Sequence, residues 1–158
     1  MNMLTLADVL AAQQVLAAHV WRTPLVPSTA LSRLTGGSIH LKLECWQRTG
    51  SFKVRGALNK LSALPPDVRA QGAVTASAGN HGLGVALAGQ ILGMSSVVVF
   101  VPVDAPTSKV ERLAGYTCDV RLAGADYGAA HVLADAYAQD RGSVYISAYD
   151  EPVVIAGQ

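Results

Sequence analysis

Ala73-Val74-Thr75-Ala76-Ser77-Ala78-Gly79-Asn80-His81-Gly82-Leu83-Gly84 reads as a short apolar strand, a glycine-rich turn and the opening of a helix that runs to about Leu92. Such a junction points free backbone N–H groups and the positive end of a helix dipole at whatever anion lies there. The glycines fall as G-x-x-G-x-G, not in the G-x-G-x-x-G order of dinucleotide sites, so the turn predicts an anion site rather than an NAD site. Beyond it the pattern is regular: strand 96–101, helix 107–114, strand 117–122, helix 126–139 and strand 143–146, with the first helix core at 83–92. Strands alternating with helices predict an α/β fold with a parallel sheet. The run 97–101 is apolar throughout, as suits a central strand covered on both faces. Gly93, Gly115 and Gly142 stand where helix C-caps are expected.

Upstream, Thr49-Gly50-Ser51-Phe52-Lys53-Val54-Arg55-Gly56-Ala57 sets one lysine between glycines, at the start of a helix that Pro65-Pro66 stops. Gly50 and Gly56 permit backbone conformations and close contacts that a Cβ blocks. A lysine desolvated beside Phe52 would have a lowered pKa and could act as a Schiff-base amine. The bland alternative is a surface lysine opening a helix. Before it, Ile39, Leu41, Leu43 and Cys45 alternate with His40, Lys42 and Glu44, which predicts a strand leading to the lysine. Thr5 and Asp8 have capping-box spacing, and Leu6, Val9, Leu10, Leu16 and Val20 predict an amphipathic covering helix through His19. Thr23-Pro24-Leu25-Val26-Pro27 reads as an extended piece, followed by a short helical stretch that ends at Gly36-Gly37.

Several separated blocks, in order, resemble the fold-type II pyridoxal-phosphate (PLP) enzymes, in their threonine dehydratase and serine racemase branch. They are Arg22-Thr23-Pro24-Leu25, Leu41-Lys42-Leu43-Glu44, the two stretches quoted above, and Val153-Val154-Ile155-Ala156-Gly157-Gln158. The resemblance spans nearly the whole chain. It implies a three-layer αβα architecture of the tryptophan-synthase-β type. A smaller domain over about 71–148 would be inserted in a larger one begun by 1–70 plus 149–158. It also implies that the chain corresponds to the N-terminal part of an enzyme, without the family's phosphate loop, the residue facing the pyridine nitrogen or its metal ligands.

By the same resemblance Lys53 carries PLP covalently and later moves the substrate's Cα proton, and Phe52 packs beside the ring. Asn80 would bond the cofactor's phenolic oxygen. Ser77, Ala78, Gly79, Asn80 and His81 would hold the substrate carboxylate. Phe52 reads equally well as a core aromatic and His81 as a structural histidine, while Glu44 and Arg55 read as an ion pair near the site. Racemases of this branch have a serine directly before Gly-Asn-His, where this chain has Ala78. A methyl group moves no proton, so the expected activity is one-base β-elimination of threonine or serine to a 2-oxo acid and ammonia. The competing expectations are another eliminase or racemase of the branch, a non-catalytic binding or regulatory module, and a nucleotide-binding α/β domain.

Composition bounds the partners. A chain of 158 residues with 51% hydrophobic content can bury a core, and a net charge of +1 with scattered basic residues gives no footprint for nucleic acid or an anionic membrane. No apolar run approaches a membrane span, and no secretory pattern opens the chain, so a cytoplasmic setting is expected. By resemblance the full-length parent is expected to be a homodimer acting on a small amino acid. Cys45 and Cys118 suggest free, mostly buried thiols, and the four histidines lack metal-ligand spacing.

Overall fold

In a computed structural model, which describes residues 4–158, the elements follow in order. They are α1 (Leu6–Leu16), β1 (Leu25–Pro27), α2 (Thr29–Thr35), β2 (His40–Lys42), a 3-10 turn (Glu44–Trp46), α3 (Lys53–Ala63) and α4 (Pro66–Ala70). Then come β3 (Ala73–Ala76), α5 (Asn80–Ile91), β4 (Val97–Val101), α6 (Thr107–Ala114), β5 (Asp119–Leu122), α7 (Tyr127–Arg141), β6 (Val144–Tyr145) and α8 (Pro152–Gly157). Strands β3 to β6 form one parallel sheet in the order β5-β4-β3-β6.

The period-2 geometry of a strand divides its side chains between two cores. Ala73, Val97, Val99 and Val101 face a core shared with Leu83, Val85, Ala86 and Ala88 of α5 and Leu113 of α6. Val74, Ala76, Val98 and Phe100 face Ala130, Ala134 and Ala138 of α7. The sheet is therefore sandwiched between helices, giving the expected three layers. The first core also takes in Leu16, Ala57, Leu58, Leu61 and Val154, so α1, α3 and α8 share it.

Several elements differ from the sequence expectation. Helix α1 has the predicted capping box between Thr5 and Asp8, but it ends at Leu16. Only Ala12 and Leu16 are buried on it; Leu6, Val9 and Leu10 are exposed, because α1 meets α3 and α8 through its small face. The strand expected over 39–45 is only three residues long and pairs antiparallel with β1. Its continuation turns into the 3-10 segment, where the Leu43 N–H is bound by the Pro24 carbonyl and Glu44 is drawn to Arg55. Pro66, read as a stop, opens the short helix α4 at its first position, where a missing N–H costs nothing. Residues 152–157, part of the last apolar block, form α8 in the same way.

Gly142 caps α7 in the left-handed conformation and Gly93 adopts it just past α5, whereas Gly115 caps α6 at φ −74°. Cys45 is exposed and Cys118 half-buried, against the expectation of buried thiols, and both are free. Among the described residues no helix is long and apolar enough to cross a membrane, and no cluster of three potential metal ligands occurs.

Candidate active site

Lys53 is the first residue of α3, and three features of the chain set it there. Gly50 takes φ +75°, a conformation that favours glycine, and its N–H is bound to the Gln47 carbonyl at 2.7 Å. Gln47 is itself buried and clamps Trp21 through both its amide oxygen and its amide nitrogen. On the far side, α3 lies against α5 so closely that a Cβ on Gly84 would sit 2.9 Å from the Lys53 carbonyl oxygen. Within the same first turn α3 meets α8 at Gly56, where a Cβ would stand 2.6 Å from the Val154 oxygen. Gly56 thus serves helix packing, while Gly50 serves the turn.

The Lys53 amine donates to the Ala148 carbonyl at 2.8 Å and faces the Gln158 amide oxygen at 3.4 Å. Its nitrogen lies 5.2 Å from the Phe52 ring centre and 5.5 Å from that of Tyr149. Burial pushes its pKa below the ordinary lysine value. Phe52 is 39% exposed, so it borders the amine and is not a core aromatic.

The glycine-rich turn lies at the carboxyl end of β3. The Ser77 N–H is bound to the Phe100 carbonyl, and the Ser77 hydroxyl accepts from the Gly79 N–H at 3.1 Å. Helix α5 begins at Asn80, three residues earlier than the periodicity indicated, so Asn80, His81 and Gly82 form its first turn. Asn80 is exposed. Gly79 is open, since a Cβ there would touch nothing within 4 Å. Ala78 is half-buried and packs on the core.

His81 is buried, with Nε2 3.1 Å from the Ile146 carbonyl and Nδ1 without a partner among the described residues. Burial lowers its pKa to about 4; the Ile146 bond opposes this and the Lys53 charge adds to it. The ring is therefore neutral near pH 7. A carbonyl can only accept, so Nε2 carries the proton. One ring nitrogen is thus held by the backbone and the other is left open among the described residues.

Glu44 and Arg55 form the expected ion pair, at 2.7 and 2.8 Å, with Thr23 donating to the same carboxylate. Burial alone would raise the Glu44 pKa. The hydrogen bonds from Arg55 and Thr23, with the charges of Arg55 and Lys42, outweigh it and hold the carboxyl below its ordinary range. The pair ties the Trp21–Thr23 segment to α3.

Sequence reasoning did not assign roles to Ala148, Tyr149 and Gln158, although all three border Lys53. Their contacts join residues about a hundred positions apart, which no local pattern reports. Ser51 was missed as well: its hydroxyl is buried and has no partner among the described residues.

The family model for pyridoxal-phosphate dependent enzymes matches residues 16–158, and the chain belongs to that family. Within it, the chain is 44% identical over 156 residues to an L-threonine ammonia-lyase of Thermotoga maritima, covering 99% of this chain and 39% of the relative. To the catabolic L-threonine dehydratase of Escherichia coli K12 it is 41% identical, covering 96% of this chain and 46% of the relative. The solved structure of maize serine racemase superposes with a TM-score of 0.91 at 31% identity, over 99% of this chain and 47% of that one. The processed form of threonine deaminase isoform 2 from Solanum lycopersicum superposes at 0.86 with 36% identity, over 96% and 41%. The chain spans less than half the length of these relatives.

The residues present fit the cofactor. An aldehyde needs a neutral primary amine, and burial biases Lys53 toward that form. The exposed Asn80 amide and the open first turn of α5 supply donors of the kind that a phenolic oxygen or a carboxylate requires.

Proposed function

We propose that this chain belongs to a PLP-dependent lyase that removes ammonia from a β-hydroxy amino acid, with threonine or serine giving the 2-oxo acid. The observation that carries the reading is the Lys53 amine, desolvated at a helix start and bordered by Phe52 and Tyr149. The identities to threonine ammonia-lyases support it.

When bound, pyridoxal phosphate supplies an electron sink for the charge left at Cα. Lys53 would hold the cofactor and move the Cα proton, Phe52 would border the ring and Asn80 would bond its phenolic oxygen. The Ser77 hydroxyl and the backbone N–H groups from Ala78 to His81 receive the substrate carboxylate, with the α5 dipole assisting. Loss of the β-hydroxyl leaves an enamine that hydrolyses to the 2-oxo acid and ammonia. Ala78 offers no second acid or base, which favours elimination over the racemisation named for the maize structure.

The proposal keeps 71–148 as the smaller unit and 1–70 plus 149–158 as part of the larger, with the α3–α5 contact as their seam; Met1 to Met3 lie outside the described residues. A cytoplasmic setting and a homodimeric parent belong to the same reading. The test is an assay of the full-length polypeptide with pyridoxal phosphate. Formation of 2-oxo acid from threonine or serine is expected, and turnover of neither amino acid would overturn the reading.

A further inference from the structure

Helix α6 reaches across to the loop that delivers the lysine. Leu113, in its last turn, is wholly buried and would lie 3.4 Å from a Cβ built on Gly82, so α6 is seated beneath the first turn of α5. Its neighbour Arg112 extends the other way and donates from Nη2 to the Thr49 carbonyl at 3.2 Å. The same nitrogen lies 3.7 Å from the position of a Cβ on Gly50.

The loop it touches is buried at Thr49 and Ser51, but among the described residues few polar groups from other elements reach it. Helix α3 has no side-chain cap, because its N-cap residue is Phe52. The Ser51 hydroxyl is unpartnered among the described residues, and the Thr49 hydroxyl makes a 3.3 Å bond to the Ser51 carbonyl within the loop. Apart from the Gly50–Gln47 backbone bond, Arg112 is, among the described residues, the polar tie that reaches residues 49–51 from another element. A charged donor on a carbonyl makes a stronger bond than a neutral one.

We infer that Arg112 is a positioning residue for Lys53: it couples α6, seated under the glycine-rich turn, to the Thr49–Ser51 loop, and so holds the amine in register with that turn. Arg112 touches neither amine nor turn and acts through the Thr49 carbonyl. The inference rests on the reading of Lys53 as the cofactor-bearing amine.

The experiment compares the protein with Arg112→Ala and Arg112→Lys variants by two readouts. One is the rate at which pyridoxal phosphate plus borohydride labels Lys53, followed by peptide mapping. The other is hydrogen–deuterium exchange of the amides from Gly50 to Arg55. Arg112→Ala is expected to slow Lys53 labelling about 10-fold and speed exchange in that segment, with other lysines labelled as before and the melting temperature little changed for an exposed side chain. Arg112→Lys restores a cationic donor and should recover most of the labelling rate.

Unchanged labelling and unchanged exchange in Arg112→Ala would overturn the inference. So would a failure of lysine to recover either readout. If Lys53 is not labelled in the parent protein, the cofactor reading fails instead, and exchange alone decides whether Arg112 orders the loop.

Discussion

Gly84 and Lys53 meet backbone to backbone: a Cβ on Gly84 would lie 2.8 Å from the Lys53 carbonyl carbon and 2.9 Å from its oxygen and from the Val54 nitrogen. Helix α5, which carries the glycine-rich turn, thereby sets the distance of α3, which carries the amine. The neighbouring atoms are main chain and cannot rotate aside. Gly84→Ala is expected to separate the two helices and to cost about 1–3 kcal/mol of stability through overpacking. Chemical denaturation measures that loss, and borohydride labelling of Lys53 should fall in the same variant.

Lys53 should be the residue that borohydride fixes to pyridoxal phosphate, since its amine is desolvated and bordered by two aromatic rings. Lys53→Ala should abolish the specific label without unfolding the protein, because the side chain makes only peripheral bonds to Ala148 and Gln158. A mapped label on Lys42, Lys60 or Lys109 would refute the assignment.

Ala78 leads to a prediction of reaction outcome. Full-length enzyme should form 2-oxo acid from L-threonine or L-serine with little inversion at Cα. Ala78→Ser should bring measurable racemisation, read as deuterium entering recovered substrate of opposite configuration. No inversion in the serine variant would show that a second proton-transfer group is not the limiting feature.

His81 predicts an acid dependence of stability. Its pKa falls from 6.5 to about 4 on folding, so the unfolded chain binds more protons in that interval. Stability is held above pH 6.5 and lost as the pH drops toward 4, by up to about 3 kcal/mol for this one group. Urea midpoints at pH 7 and pH 5 should differ in the parent protein and differ less in His81→Gln. Equal differences in the two proteins would assign the acid sensitivity to other groups.

Much of the architecture was legible because it depends on local periodicity. The strand at 73–76 and the helix at 107–114 fall where their apolar spacing put them, and the apolar run at 97–101 is the buried central strand it resembles. The strand expected over 39–45 is shortened to His40–Lys42 for a reason that local pattern does not carry. Glu44 is committed to Arg55 and Thr23 and turns the chain after Lys42. Helix α5 began early because Asn80 and His81 are tolerated in a first turn that stands on an uncapped Gly79.

By its sequence alone this protein declared an α/β chain, a lysine at a helix start, a glycine-rich turn after a strand, and the family to which those blocks belong. The first three are short-range properties, fixed by residue type and local spacing, and the family follows from the order of several such blocks along the chain. The tertiary structure decided that the His81 ring is buried and neutral, with Nε2 held by Ile146. It also decided that Ala148, Tyr149 and Gln158 surround the amine, and that Arg112 reaches the loop before it. Those are contacts between residues separated by some sixty to a hundred positions. They exist because packing the sheet and helices brings distant segments together, and no periodicity along the chain records which segments will meet.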